Sequence, residues 1–402
     1  MVKIVLQEEK RRRKAMTRYR LRIPGPIDLE PEVLSFMSAP LIAHYGREWV
    51  ELYSETLTLL QQVWQTKEAS VFLMPGPGSI GMEAAIASLS GDTHKLLVLT
   101  NGFFGDRWVT IARAYSSRVC VLEGTWGRAF DVDAVEQALK RDREIKVVIM
   151  VHGETSTGVL NPLKEISALC ERYDAVLVAD MVATLGGTEI ALDDWHIGIG
   201  VSATQKCLEC PPGLAPVAVS PHAWELIERS RGPGWFVNLR TWQHFAREWA
   251  DWHPHPVTMP TGLIQALRYS LQTILDEGLP QRWARHLEIA ALVRNALKNL
   301  GFELFVPHDR EAMNTVTAAK SHPQLPAAAL IRALKEKHQI LVGGGLERLA
   351  GQIFRIGHMG PTATRDAMVP TLLAIEDVLR SSGVAVEPGQ SLRSHAPVMG
   401  LG

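Results

Sequence analysis

Residues 176–206 read VLVADMVATLGGTEIALDDWHIGIGVSATQK. The stretch opens on the apolar run Val176–Ala179 and closes on a second, Ile197–Ser202. Short apolar runs of this kind, separated by a longer connection, are the pattern of parallel strands buried on both faces. Asp180 ends the first run, where a carboxylate is costly unless a cation or a donor meets it. A protonated ring nitrogen would do so, and so would the backbone amides of a turn that the Asp caps. Lys206 follows the second run, 26 residues after Asp180, which is enough chain for one crossover back to the same sheet edge. Both groups can then face one crevice. An amine held there can form a Schiff base when desolvation and neighbouring cations lower its pKa. The alternative is an ordinary surface lysine, and the setting of Lys206 between Gln205 and the turn CLECPPG, at a strand end, speaks against it.

Three further runs upstream have the same character: Val71–Met74, Leu96–Leu99 and Val147–Val151. Longer amphipathic stretches separate them, so the expectation is an α/β chain with a mostly parallel central sheet and flanking helices. PGPGS (75–79) follows the first run, NGFFGDR (101–107) the second and HGETSTG (152–158) the third. Ligands of open α/β sheets bind at the carboxyl ends of the strands, and one large ligand with a phosphate, a ring and a carbonyl would use all five loops. PGPGS leads into the helical pattern of residues 80–90, whose first amides would face an anion; a tight turn that merely needs glycine is the competing explanation. Gly76, Gly78 and Gly81 also fit the dinucleotide pattern G-x-G-x-x-G. That pattern requires an acid at the end of the next strand, where Thr100 and Asn101 stand instead, while Asp92 precedes that strand.

Composition works by exclusion. Among 402 residues, 42 Lys plus Arg against 43 Asp plus Glu leave a net charge of −1, which gives nucleic acid no electrostatic footprint. No apolar run approaches the roughly 18 residues that span a bilayer, so no membrane is expected. Four Cys cannot form a disulfide framework in a chain this long, and they suit a reducing, cytoplasmic compartment. The basic stretch 8–22, EEKRRRKAMTRYRLR, reads as a solvated arm without a signal-peptide core, with Met16 as an alternative start to Met1. Residues 381–402, rich in Gly, Pro and Ser, read as a flexible tail.

The motifs PGPGS with Glu83 downstream, NGFFGDR, HGETSTG, DMVATLGG (180–187), SATQKCLECPPG (202–213) and RIGHMG (355–360) occur in the order of the class V aminotransferases, which bind pyridoxal 5′-phosphate. The chain resembles that family from about Pro24 to about Leu379, and within it most resembles alanine:glyoxylate and serine:pyruvate aminotransferases. The resemblance implies the type I fold of pyridoxal-phosphate-dependent transferases: an arm to residue 25, a large cofactor domain over 26–280, and a smaller C-terminal α/β domain over 281–380. It implies that Lys206 holds the cofactor as a Schiff base and shuttles the proton, and that Asp180 keeps the pyridine nitrogen protonated. Gly78, Ser79 and Gln205 would bind the phosphate, and Thr258 would reach it from the neighbouring subunit of a homodimer. Phe104 would stack on the ring, Thr155 would bond its O3′ region and Val182 would pack beneath it. Arg355 would grip the substrate α-carboxylate, and Gly25 would border the substrate.

Arg355 carries an argument of its own. Between Phe354 and Ile356 a guanidinium needs a carboxylate, either the substrate's or that of a local Asp or Glu. The implied reaction is a ping-pong transfer of an amino group from alanine or serine to glyoxylate or pyruvate. A cysteine desulfurase or lyase of the same class, a nicotinamide oxidoreductase and a non-catalytic relative are the competing functions. Met181 and Thr184 depart from the family pattern, as do Cys207 and Cys210. One C-x-x-C without further ligands is a weak metal or redox motif, so these are expected to be small buried residues and no metal is expected. The aromatics of RGPGWFVNLRTW (231–242) and Tyr45 read as core or subunit interface sooner than as a wall of the site entrance.

Overall fold

The protein is described by a computed structural model covering residues 18–91 and 94–393. Asp92, the arm through residue 17 with both candidate start methionines, and residues 394–402 of the tail lie outside the described residues. In chain order the strands are β1 (Arg20–Arg22), β2 (Ser70–Pro75), β3 (Lys95–Thr100), β4 (Val119–Glu123), β5 (Ile145–Val151), β6 (Gly153–Glu154), β7 (Val159–Leu160), β8 (Val176–Asp180), β9 (Ile199–Val201), β10 (Leu214–Val219), β11 (Val316–Lys320), β12 (Ile340–Gly344) and β13 (Ile353–Gly357). All five apolar runs are strands. They lie in one seven-stranded sheet of order β2-β10-β9-β8-β5-β3-β4, in which β10 alone is antiparallel to its neighbours. The fold is α/β with a mostly parallel sheet, as expected.

Strand β8 shows why the sheet forms. Val176 and Val178 join the core on one face, with Ile86, Trp108 and Val201. Leu177 and Ala179 join the core on the other, with Trp64, Met150 and Leu267. Each fully buried aliphatic contributes about 1.5–3 kcal/mol, which offsets the several kcal/mol that an ion costs when placed at the strand's end. Helix Gly78–Leu89 lies close on the sheet because Gly81 has no side chain: a Cβ there would stand 2.8 Å from Val201 Cγ1.

A second sheet, order β1-β12-β13-β11, packs with helices Leu279–Asn299, Ala327–His338 and Arg365–Ser381 around Phe302, Leu330, Phe354 and Leu379. Here two expectations need correction. Arg20–Arg22, inside the stretch read as a solvated arm, pairs parallel with Ile340–Val342. Its charge is accommodated because Arg22, 6% exposed, pairs with Asp28 at 2.9 Å and donates to the Leu21 carbonyl. The tail is docked through residue 393: Ser391 and Gly389 donate to the Glu376 carboxylate, and Gln390 donates to Asn299 O. Polar composition hid this docking, which these hydrogen bonds provide together with Val384, buried in the core of the second sheet, and Val386 packed against it.

Candidate active site

The carboxyl ends of β2, β3, β5, β8 and β9 meet at one pocket. Gly78, Ser79, Phe104, Thr155, Asp180, Val182, Gln205 and Lys206 line it, together with Arg107 and Met82. Eight expected residues from five loops thus converge. Gly25 stands over Lys206, so close that a Cβ on it would lie 2.5 Å from the amine. The Lys206 amine donates to Pro24 O. Thr258 is exposed and does not line the pocket of its own chain.

Asp180 is 5% exposed. Its Oδ1 accepts Val182 N–H at 3.0 Å and its Oδ2 accepts Trp108 Nε1–H at 3.1 Å. Burial raises its pKa, and the Val182 amide, Trp108 and the Lys206 charge oppose the rise. His152 donates its backbone N–H to Asp180 O and meets Thr184 Oγ1 through Nδ1; burial holds its imidazole neutral, at about 3. Enclosure pulls the Lys206 amine down to about 8, with the Arg355 charge adding to the fall and the Asp180 charge opposing it. A deprotonated amine is therefore accessible near neutral pH.

Arg355 sits on β13, 6% exposed. Nε donates to Gly344 O at 2.8 Å and Nη1 to Thr155 O at 2.9 Å. Among the described residues no carboxylate pairs with it, so the alternative of a local ion pair is not found. Burial lowers its pKa to about 10, with the Glu154 charge opposing. The guanidinium keeps its charge at neutral pH and retains donors for an anion.

Three residues of the site's frame escaped sequence reading. Glu154, fully buried inside HGETSTG, accepts Phe104 N–H and Gly105 N–H at the start of helix Phe103–Tyr115, and also Ser156 Oγ–H; burial raises its pKa to about 7. Arg282 donates to Gly186 O and Cys207 O and pairs with Glu209, tying the loop after Asp180 to the turn after Lys206. Trp108 stands one residue beyond the motif that drew attention. The turn signal of a quoted motif could have flagged Glu154; only tertiary contact reveals the other two.

Cys207 and Cys210 are both buried and unpaired. Burial pushes both thiols up, Cys207 to about 12, which leaves neither a usable thiolate. His44, His253 and His255 are the one group among the described residues whose donors cluster as a metal would need. His255, however, donates through Nδ1 to Val257 O and accepts Trp49 Nε1–H at Nε2, both at 2.8 Å, so neither nitrogen is open.

A family profile described as Aminotransferase class-V matches residues 39–354. The chain belongs to the class V aminotransferases. It is 37% identical to an uncharacterized aminotransferase of Methanocaldococcus jannaschii, over 91% of this chain and 94% of that one. It is 32% identical to the L-aspartate–glyoxylate aminotransferase of Paracoccus denitrificans, over 92% and 93%. A solved alanine–glyoxylate aminotransferase from Nostoc sp. superposes with a TM-score of 0.85 at 32% identity, over 90% and 95%. The fold is therefore type I of the pyridoxal-phosphate-dependent transferases, and the dinucleotide explanation of Gly76, Gly78 and Gly81 falls away.

The cofactor of this class V aminotransferase is pyridoxal 5′-phosphate, and the pocket fits it. Helix Gly78–Leu89 starts without a side-chain cap, leaving its first amides for a phosphate. Gln205 Oε1 is buried without a partner. A carboxylate, an amine and an aromatic ring line the same space.

Proposed function

We propose that this class V aminotransferase moves an amino group from a small amino acid, alanine or serine, to glyoxylate or pyruvate. When bound, the cofactor supplies an electron sink for the charge that develops at the substrate Cα. Lys206 holds the cofactor covalently and moves the proton at Cα, for which an amine near 8 is suited. Asp180 keeps the ring nitrogen protonated. Gly78, Ser79 and Gln205 hold the phosphate, Phe104 and Val182 enclose the ring faces, and Thr155 bonds its O3′ region. Gly25 borders the substrate beside Lys206, where there is no room for a Cβ of its own.

One observation carries the proposal: Arg355 is buried, charged, anchored on two carbonyls and without a carboxylate partner among the described residues. An amino acid's carboxylate completes it. The names of relatives support the acceptor, since the L-aspartate– and alanine–glyoxylate enzymes both carry glyoxylate in theirs. Purified enzyme is expected to be yellow. Its visible band should bleach with alanine or serine and return with glyoxylate or pyruvate; a spectrum that no amino acid changes overturns the proposal. Removing one partner of a buried charge pair costs about 2–5 kcal/mol, so Arg355→Gln should lose roughly 30- to 5,000-fold in kcat/KM, mostly through KM. An unchanged KM would remove Arg355 from the carboxylate.

We further propose a homodimer in which Thr258 serves the partner's phosphate. Its exposure, and that of Met37, Leu41, Tyr45, Trp249 and Trp252, leave an apolar surface that a second copy would cover. Sedimentation should give twice the chain mass. No helix among the described residues is long and apolar enough to cross a membrane, and four unpaired cysteines support a cytoplasmic location. The large domain is assigned to 26–280 and the small one to 281–380.

A further inference from the structure

Helix Phe103–Tyr115 sends two aromatic side chains one turn apart toward the site. Phe104 lines the pocket. Trp108, at 0% exposure, donates its indole N–H to Asp180 Oδ2, with Nε1 3.1 Å from that oxygen. A carboxylate has about four acceptor positions on two oxygens. Trp108 takes one on Oδ2 and the Val182 amide takes one on Oδ1, so each oxygen is held by a separate donor and rotation of the carboxylate would break both bonds. The remaining acceptor capacity belongs to the pocket that Asp180 lines.

The indole is itself held firmly. Glu154 accepts the N–H groups of Phe104 and Gly105, and Thr100 Oγ1 donates to Asp106 Oδ1 at 2.6 Å. Gly105 brings the helix so near β3 that a Cβ would lie 2.6 Å from Thr100 Oγ1. The helix start is thus anchored on two sides, and Trp108 cannot follow a moving carboxylate. Phenylalanine would fill much of the same apolar space, among Met82, Ile86 and Val178, yet would leave Oδ2 without its donor.

We propose that Trp108 is a positioning residue of the transamination: its indole N–H holds the Asp180 carboxylate as an oriented anion against the ring nitrogen of the cofactor. This rests on the assignment of Asp180 to that nitrogen. Trp108 acts through Asp180 and touches neither substrate nor reacting atoms. The other charged and titratable groups around Asp180 are Lys206 and Arg107, whose charges favour the anion, Glu154, which feels its charge, and His152, which stays neutral. Among the described residues none of these groups donates a hydrogen bond to Oδ2, so none replaces the indole.

The test uses holoenzyme loaded with pyridoxal 5′-phosphate carrying 15N at the ring nitrogen. Two proteins are compared with wild type: Trp108→Phe, and a protein with 3-benzothienylalanine in place of Trp108, which keeps the shape and replaces N–H by sulfur. In wild type the 15N shift should report a protonated nitrogen from pH 6 to 9. Both altered proteins should lose that protonation within the same range. Both should also lose roughly ten- to a hundred-fold in kcat, the worth of one charge-assisted hydrogen bond, with KM changed by less than about threefold. A benzothienyl protein that keeps the wild-type shift and kcat overturns the proposal, because packing alone would then explain Trp108. A wild-type nitrogen that is unprotonated throughout overturns the Asp180 assignment and the proposal with it.

Discussion

Lys206→Met is expected to abolish covalent capture of the cofactor and to slow turnover by at least about 10⁴-fold, the upper range for a positioned acid–base group that is also the nucleophile. The size of the effect follows from the absence of a substitute. Arg355 and Arg107 share the surroundings, but a guanidinium offers donors only and no acceptor to take a proton. His152 is neutral, but its Nδ1 is engaged by Thr184 Oγ1. Borohydride reduction of wild type should leave the cofactor's mass on the peptide that contains Lys206, and the variant should show none. Retained mass on another lysine would remove Lys206 from the role.

The same substitution has a stability consequence with a definite sign. The amine titrates near 8 in the folded chain against 10.5 ordinarily. Below pH 8 it is charged in both states, and the folded state bears the full cost of enclosing the charge. Between 8 and 10.5 the unfolded chain binds the extra proton, so the stability of cofactor-free wild type rises with pH across that window. At about 1.36 kcal/mol per unit the cost at pH 7 is at most about 3 kcal/mol. Denaturant unfolding of cofactor-free protein should show Lys206→Met more stable than wild type at pH 7 and nearly equal to it at pH 10.5. Parallel pH profiles for the two proteins would contradict the lowered amine.

How much of this was legible in the sequence depended on sequence distance. The five apolar runs and the loops behind them announced both the sheet and the pocket, because each signal lies within a dozen residues. Two strands of the same sheet gave weaker signals. Strand β4 is an edge strand whose residues are only partly covered. Strand β10 contains Pro216, which argues against a central strand; here the proline carbonyl accepts Ser202 N–H and its missing donor leaves the antiparallel pairing to neighbours. Strand β1 pairs with a partner some 320 residues away, beyond any local pattern. The site divides in the same way: Asp180 and Lys206 could be read from their strand ends, while Trp108 and Arg282 act through partners 72 and 73 to 96 residues distant.

Asp180→Asn should separate holding the cofactor from using it. The amide keeps the shape of the carboxylate but offers one acceptor oxygen to two fixed donors, Trp108 Nε1–H and Val182 N–H, so its own N–H₂ must face one of them or the ring nitrogen. Whichever way it turns, no anion remains against that nitrogen. The contacts proposed to bind the cofactor lie mostly elsewhere, on Gly78, Ser79, Gln205 and Lys206, so cofactor affinity should fall modestly. The loss falls on the step in which charge develops, and removing one preorganised electrostatic contact typically costs about 10²–10³-fold in kcat. KM for the amino donor, whose carboxylate is proposed to bind at Arg355, should change little, which marks an interaction made chiefly beyond the ground state. In wild type, burial raises the Asp180 pKa, so activity should fall on the acid side as the carboxylate protonates; the Asn variant, with nothing to protonate there, should lack that limb. Steady-state rates from pH 5 to 9 on both proteins decide the matter. An acid limb that survives in Asp180→Asn would assign it to another group, and an unchanged kcat would take Asp180 away from the ring.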